Sequence, residues 1–418
     1  MAISKVTVKK NGYKLKGALK KNGLDCWRYF FNARSIATGS EAAFFIELLV
    51  ENPAVSPDEF ILTQKSRPKI KADDLQAALT GNIDVKDQSA EEAVIPSFVA
   101  VRAGIYGEER KQINCFYPPK RLKCDKRRFC MEVEDNLFSD DTLSGALVCS
   151  KSDSVNYPEY MSQAGSISWN LHYERMIDFD EISDSQEENF WLPGGVICNY
   201  SGRIVLDEEE YAVSPKSGFG YCDKIWGKTI PAPFYHLSSN KLTSIFSGKL
   251  IENGCFSLQG LYQNKLSFIS RLGEDIFNFS PTGKFNKYDI VYNCIPVPGE
   301  EDDEQLHWSV SIHNRLYVCD VDIFCSARLM LVRDYELPYG NHKVQKILSG
   351  SEGNGELRIY KKIKKNLELI HHAKIENCVC EFGNVEKKKK TKFLPFLNFI
   401  LKFKVWNLKN LLLRHRKL

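Results

Sequence analysis

The chain of 418 residues has no stretch of roughly 18 uninterrupted apolar residues, so no membrane-crossing helix is expected. Residues 1–23 carry Lys5, Lys9, Lys10, Lys14 and Lys16 but no apolar block, which argues against a secretory leader. Among 13 cysteines there is no CxxC pair, and the closest two are Cys378 and Cys380. The ligand knuckles of a structural zinc site are missing, and free thiols in a reducing, cytoplasmic setting are expected. A GxSxG elbow is absent, which leaves no signature for a serine nucleophile. Residues 350–355 (GSEGNG) lack the strand-to-helix setting of a phosphate cradle and read as a flexible loop between strands. Acidic residues are missing from 387–418, where eleven Lys and Arg stand. The whole chain carries +4, so residues 1–386 carry about −7 and the basic tail is a separate question.

What is present favours strands. Aromatic residues reach 12%, with 25 Phe and 18 Tyr, a composition suited to β structure with large apolar cores. Residues 42–50 (AAFFIELLV) form a continuous apolar run, and 97–105 (SFVAVRAGI), 166–173 (SISWNLHY) and 308–312 (WSVSI) alternate as half-buried strands do. His313, Asn314 and Arg315 separate WSVSI from LYVCDVDIF, which predicts a hairpin. Asp320 and Asp322 then share one face of its second strand, opposite Cys319, Val321 and Ile323. Helical signals are confined to residues 71–92, read as a helical or mobile insertion, and to the tail. The length predicts two domains, with a boundary in the acidic segment near 180–190. The expected division is 1–185, 186–386 and a basic amphipathic tail at 387–418.

One segment carries a family likeness. Residues 218–231 read GFGYCDKIWGKTIP, with a tyrosine, an acid, a Trp-Gly pair and a proline in one loop-strand unit. WLPGG at 191–195, Gly202 to Asp207, Tyr211, the opening WRYFF at 27–31, NLFS at 136–139 followed by GAL at 145–147, and CEFG at 380–383 accompany it in order. Together they resemble the tocopherol cyclase and carotenoid 1,2-hydratase superfamily over roughly residues 25–386. The sequence departs from that pattern at Ile225, where an asparagine is usual, and in the pair Phe234-Tyr235 followed by His236. The resemblance implies an all-β chain of two lipocalin-like β-barrel or sandwich halves around an apolar cavity. It also implies cyclisation of prenylated quinols, hydration of carotenoid ends or pericyclic closure of polyketides, with no metal or organic cofactor.

Candidate residues follow from that chemistry. Asp223 is either a cavity acid protonating a double bond or a turn aspartate capping its loop. His236 is either a proton relay or a hydrogen-bonded wall residue. Tyr221 and Tyr235 are donors to a ligand oxygen, or rim residues that satisfy themselves. Trp27, Tyr29, Trp191 and Trp226 are candidate ligand-wall aromatics; for the indoles, packing competes with stabilisation of a carbocation. His371 and His372 are adjacent in a strand and point to opposite faces, which argues against a metal pair.

Two functions of different class remain open at this stage. One is an enzyme acting without a cofactor on an isoprenoid or polyketide-like molecule; the other is a lipocalin-like carrier of the same molecules. Nucleic acid is not an expected partner, because the body is acidic and no recognition motif occurs. An anionic membrane surface is the partner expected of the tail, where basic residues flank FLPFLNFILKFKVWNLKNLLL. The competing reading docks that tail on the β body.

Overall fold

The computed structural model describes residues 11–63, 94–125, 128–180, 182–184, 189–215, 218–231, 233–262, 265–280, 288–299, 303–340 and 344–383. The segments expected to be helical, 71–92 and 387–418, lie outside the described residues. Among those described, the one α-helix is Lys151–Asn156, capped where the Ser150 hydroxyl accepts from the Asp153 amide. Nearly everything else is antiparallel strand in two curled sheets. The all-β, two-half architecture expected from the sequence is the one observed.

The first sheet is built around the strand Leu24–Ser35, which pairs with Glu41–Glu51 on one side and Gly220–Gly227 on the other. Asn189–Gly195 pairs with Gly220–Gly227, so the chain passes the expected boundary near 180–190 without changing sheet. It changes between Gly227 and Phe234, where Gly227 takes a positive φ and Pro231 has no amide to donate. The second sheet centres on Phe234–Ser239, Val344–Ile363 and Asn366–Gly383. Both sheets lie in one compact unit, Met1–Val385.

Alternation along the strands makes three apolar layers rather than two. Trp27, Tyr29, Phe31 and Ala33 point into the hollow of the first sheet, and Tyr235, Leu237, Phe256 and Trp308 into that of the second. The opposite faces meet each other: Phe30, Phe45, Tyr106 and Trp191 pack with Phe234 and Tyr335 in a seam between the sheets. A strand buried on both faces favours apolar residues on each, which is why AAFFIELLV is apolar throughout except for Glu47.

The hairpin forms as expected, Glu304–His313 against Tyr317–Ser326, with Asp320 and Asp322 half-buried and Cys319, Val321 and Ile323 buried. All 13 cysteines are free thiols. Residues 350–355, expected as a loop, instead lie inside the strand Val344–Ile363, with register shifts at Gly350, Gly353 and Gly355. The glycines serve close approach. A Cβ on Gly355 would overlap the Asp322 carbonyl oxygen, and one on Gly353 would stand 2.8 Å from the Ile323 side chain.

Candidate functional site in the seam

Two polar rows face each other across the apolar seam. In the first sheet, cross-strand register sets Asp223 beside Arg28, Arg28 beside Glu47, and Glu47 beside Arg102. Charge alternates along that row, which is the favourable order for directly opposed pairs. In the second sheet, Gln259 stands beside His236, His236 beside Glu381, and Glu381 beside Ser349. Each of these eight residues is 5% exposed or less, so their partners must come from the protein.

Arg28 joins the rows. Its Nε donates to Asp223 Oδ1 at 2.8 Å and its Nη2 to Asp223 Oδ2, a bidentate clamp. Nη1 crosses the seam to Glu381 Oε2 at 2.8 Å, and Nη2 also reaches Gln259 Oε1 at 3.2 Å. Arg333 makes the second crossing, donating to Glu47, which also accepts from the Tyr335 hydroxyl at 2.6 Å and from Arg102 at 3.2 Å. Aromatic faces cover the guanidinium groups: Phe234 lies 5.3 Å from that of Arg28, and Phe45 4.4 Å from that of Arg333. Burial pushes the Glu381 carboxyl up, but Arg28, the His236 hydrogen bond and Arg333 together bring it down to about 2. Burial pushes the Glu47 carboxyl up, and Arg333 and Arg102 likewise hold it below its ordinary value.

Beside this lattice sits a proton-transfer geometry. His236 Nδ1 is 2.9 Å from Glu381 Oε2, and its Nε2 is 3.1 Å from the Tyr221 hydroxyl. Tyr221 is also 2.8 Å from Asp223 Oδ2 and 3.3 Å from the Ser257 hydroxyl. Glu381 can only accept, so Nδ1 carries a proton toward it. Two arrangements then close. A neutral ring accepts from the tyrosine at Nε2; a doubly protonated ring donates there, and the tyrosine turns its proton to Asp223. The arrangements differ by one proton, held between His236 and Tyr221. Burial and the Asp223 charge push the Tyr221 hydroxyl well above its ordinary value. Three guanidinium groups, Arg28, Arg102 and Arg333, thus face the carboxylates of Asp223, Glu47 and Glu381.

Of the residues expected from sequence, the seam brings together Asp223, Tyr221, His236 and Trp191, whose indole donates to Asp223 Oδ2 at 2.9 Å. Asp223 is not a turn cap. It lies mid-strand and accepts from Arg28, Tyr221 and Trp191. The other four candidates point elsewhere, because strand neighbours alternate in face. Trp27 and Tyr29 line the first hollow, and Tyr235 lines the second with its hydroxyl on the Asn293 carbonyl at 3.0 Å. Trp226 stacks on Phe190 and flanks Lys224. His371 and His372 pair separately with Asp275 and Glu356. Sequence reasoning missed Arg28, Glu47, Arg102, Arg333 and Glu381. For Arg28, Glu47 and Arg102 the signal was present: each is a charge set within an apolar strand, as in WRYFF, FFIELLV and FVAVRAGI.

Comparisons with known proteins add little beyond this geometry. No family model matches the chain, and no curated protein matches it. Among solved structures, a putative AttH from Nitrosomonas europaea is similar at 8% identity and a TM-score of 0.40, covering 86% of this chain and 94% of that one. Kievitone hydratase from Nectria haematococca is similar at 10% identity and a TM-score of 0.41, covering 89% and 94%. The fold and seam define a two-sheet β protein with a buried charge lattice.

Proposed function

We propose that this chain is an acid–base catalyst for a largely apolar small molecule, with His236 and Tyr221 as the proton-transferring pair in the seam. The observation that carries the reading is the pair's geometry between two carboxylates, whose hydrogen bonds close in two states one proton apart. Adding a proton to an alkene needs a proton source held away from water, and a positioned group of this kind accelerates such steps by roughly a hundredfold or more. In the proposed step, the proton on His236 Nε2 passes through the tyrosine hydroxyl to the alkene carbon, and water or an internal hydroxyl captures the cation. Captured water or hydroxyl returns a proton to the ring, so the protein is restored. Glu381 steadies the imidazole, Arg28 fixes Asp223, and Asp223 orients Tyr221. The resemblance in sequence supplies the substrate class: prenylated quinols, carotenoid ends and polyketides. All reacting groups are buried, so the substrate enters when the seam parts.

The carrier reading has an observation in its favour, since Asp223, Glu47 and Glu381 are fully engaged in the closed lattice. A panel of prenylated quinols and phenols separates the two, read by melting temperature for binding and by product analysis for turnover. The full-length chain should bind and convert a member of the panel. His236→Gln and Tyr221→Phe should each keep the melting shift and lower turnover about a hundredfold or more. Binding without conversion by the unaltered chain establishes the carrier, and unchanged turnover in both variants removes the pair from the mechanism.

A further inference from the structure

We propose that the outer tip of the second sheet, where the turn at 313–316 meets the turn at 364–365, docks on an anionic lipid surface. Three apolar side chains sit there in the open: Leu316 is 60% exposed, Leu367 52% and Ile363 45%. Single exposed apolar residues are ordinary on a soluble protein. These are adjacent. The Lys362 amide donates to the Leu316 carbonyl at 2.7 Å, and Lys362 is the cross-strand partner of Leu367. Leu316, Lys362 and Leu367 thus form one row at the edge, and Ile363, the next strand position, projects from the opposite face at the same turn.

The charges around that row have one dominant sign. Arg315, Lys361, Lys364 and Lys365 surround it, while Lys362 within the row donates to the Asn314 carbonyl at 2.6 Å; against these stand Glu368 opposite Lys361 and Asp289, which pairs with His313 at 3.1 Å. Lys364 holds the turn at a φ of 54°, which sets the lysine pair at its outermost point. The body of the chain is acidic, so a local excess of cations here is a departure from its background. Apolar side chains framed by lysines at a projecting turn match the chemistry of a bilayer interface: the leucines enter the acyl boundary, and the lysines reach phosphate and carboxylate headgroups. Nucleic acid would use the cations but leaves the exposed leucines without a role.

The full-length chain tests this by hydrogen exchange with vesicles of phosphatidylcholine plus phosphatidylserine, against phosphatidylcholine alone. Exchange localises the contact, which matters because residues 387–418 carry positive charge of their own. Anionic vesicles should slow exchange at 313–318 and 360–369. Leu316→Asp with Leu367→Asp, and separately Lys364→Glu with Lys365→Glu, should each lower partition by about tenfold or more. The melting temperature should hold, since all four side chains lie at the surface. Unchanged exchange at the tip while the chain binds vesicles overturns the proposal. So does equal partition of the variants, absence of binding, or tip protection by an oligonucleotide alone.

Discussion

Glu381 shows how a single residue ties site to stability. It stands at the crossing of the seam, with Arg28 and Arg333 on the opposite side of its charge, His236 on one oxygen and the Ser349 hydroxyl on the other at 2.8 Å. Removing water from a carboxylate is costly, and only this number of partners holds it charged at about 2 rather than at its ordinary 4.5. A folded-state value below the unfolded one gives stability that is fully present above about pH 4.5 and lost as pH falls toward 2. The amount at stake is about 3 kcal/mol for this group. Urea unfolding at pH 7 and at pH 3 should therefore show a steeper acid loss in the unaltered chain than in Glu381→Gln. Equal acid dependence would mean that Glu381 does not carry its charge in the fold.

At the scale of the strand, the glycines at 350–355 do the opposite of what their flexibility suggests. They let Val344–Ile363 run past Tyr317–Ser326 and Asn366–Gly383 at close range, and the register shifts begin only after Gly350, beyond the regular pairing that sets Ser349 against Glu381. Gly355→Ala should cost roughly 2 kcal/mol or more, read as a lower urea midpoint, because its Cβ meets the Asp322 backbone and not a side chain that could move. An unchanged midpoint would mean that the two strands are not packed so closely. The example marks where sequence stops being legible. Alternation reveals that Arg28, Glu47 and Asp223 occupy one face of their strands, and local runs reveal the strands themselves. What alternation leaves open is which face meets which. Arg28 and Glu381 are 353 positions apart, and nothing in either segment names the other. Asp223, Tyr221 and His236 were legible because they cluster within sixteen residues; Trp27, Tyr29, Trp226 and Tyr235 fall near them in sequence and face away. A charge inside an apolar strand was the better guide, since burying it demands a partner.

At the scale of the whole molecule, neither sheet contains the site alone. The first supplies Asp223, Arg28 and Tyr221, and the second supplies His236, Glu381 and Gln259, so the proposed His236–Tyr221 pair is made by both sheets together. That arrangement suits a reaction that must exclude water until a cation has formed and then be captured in a controlled way. A lattice of three guanidinium and three carboxylate groups also joins the sheets through Arg28 to Glu381 and Arg333 to Glu47. Solvent deuterium tests this claim most directly. With the full-length chain in deuterium oxide and an alkene substrate identified from the panel, the account predicts one non-exchanging deuterium at the protonated carbon of the product, lost together with turnover in His236→Gln. A product that forms at the ordinary rate without carbon-bound deuterium would contradict proton transfer as the reaction of this seam.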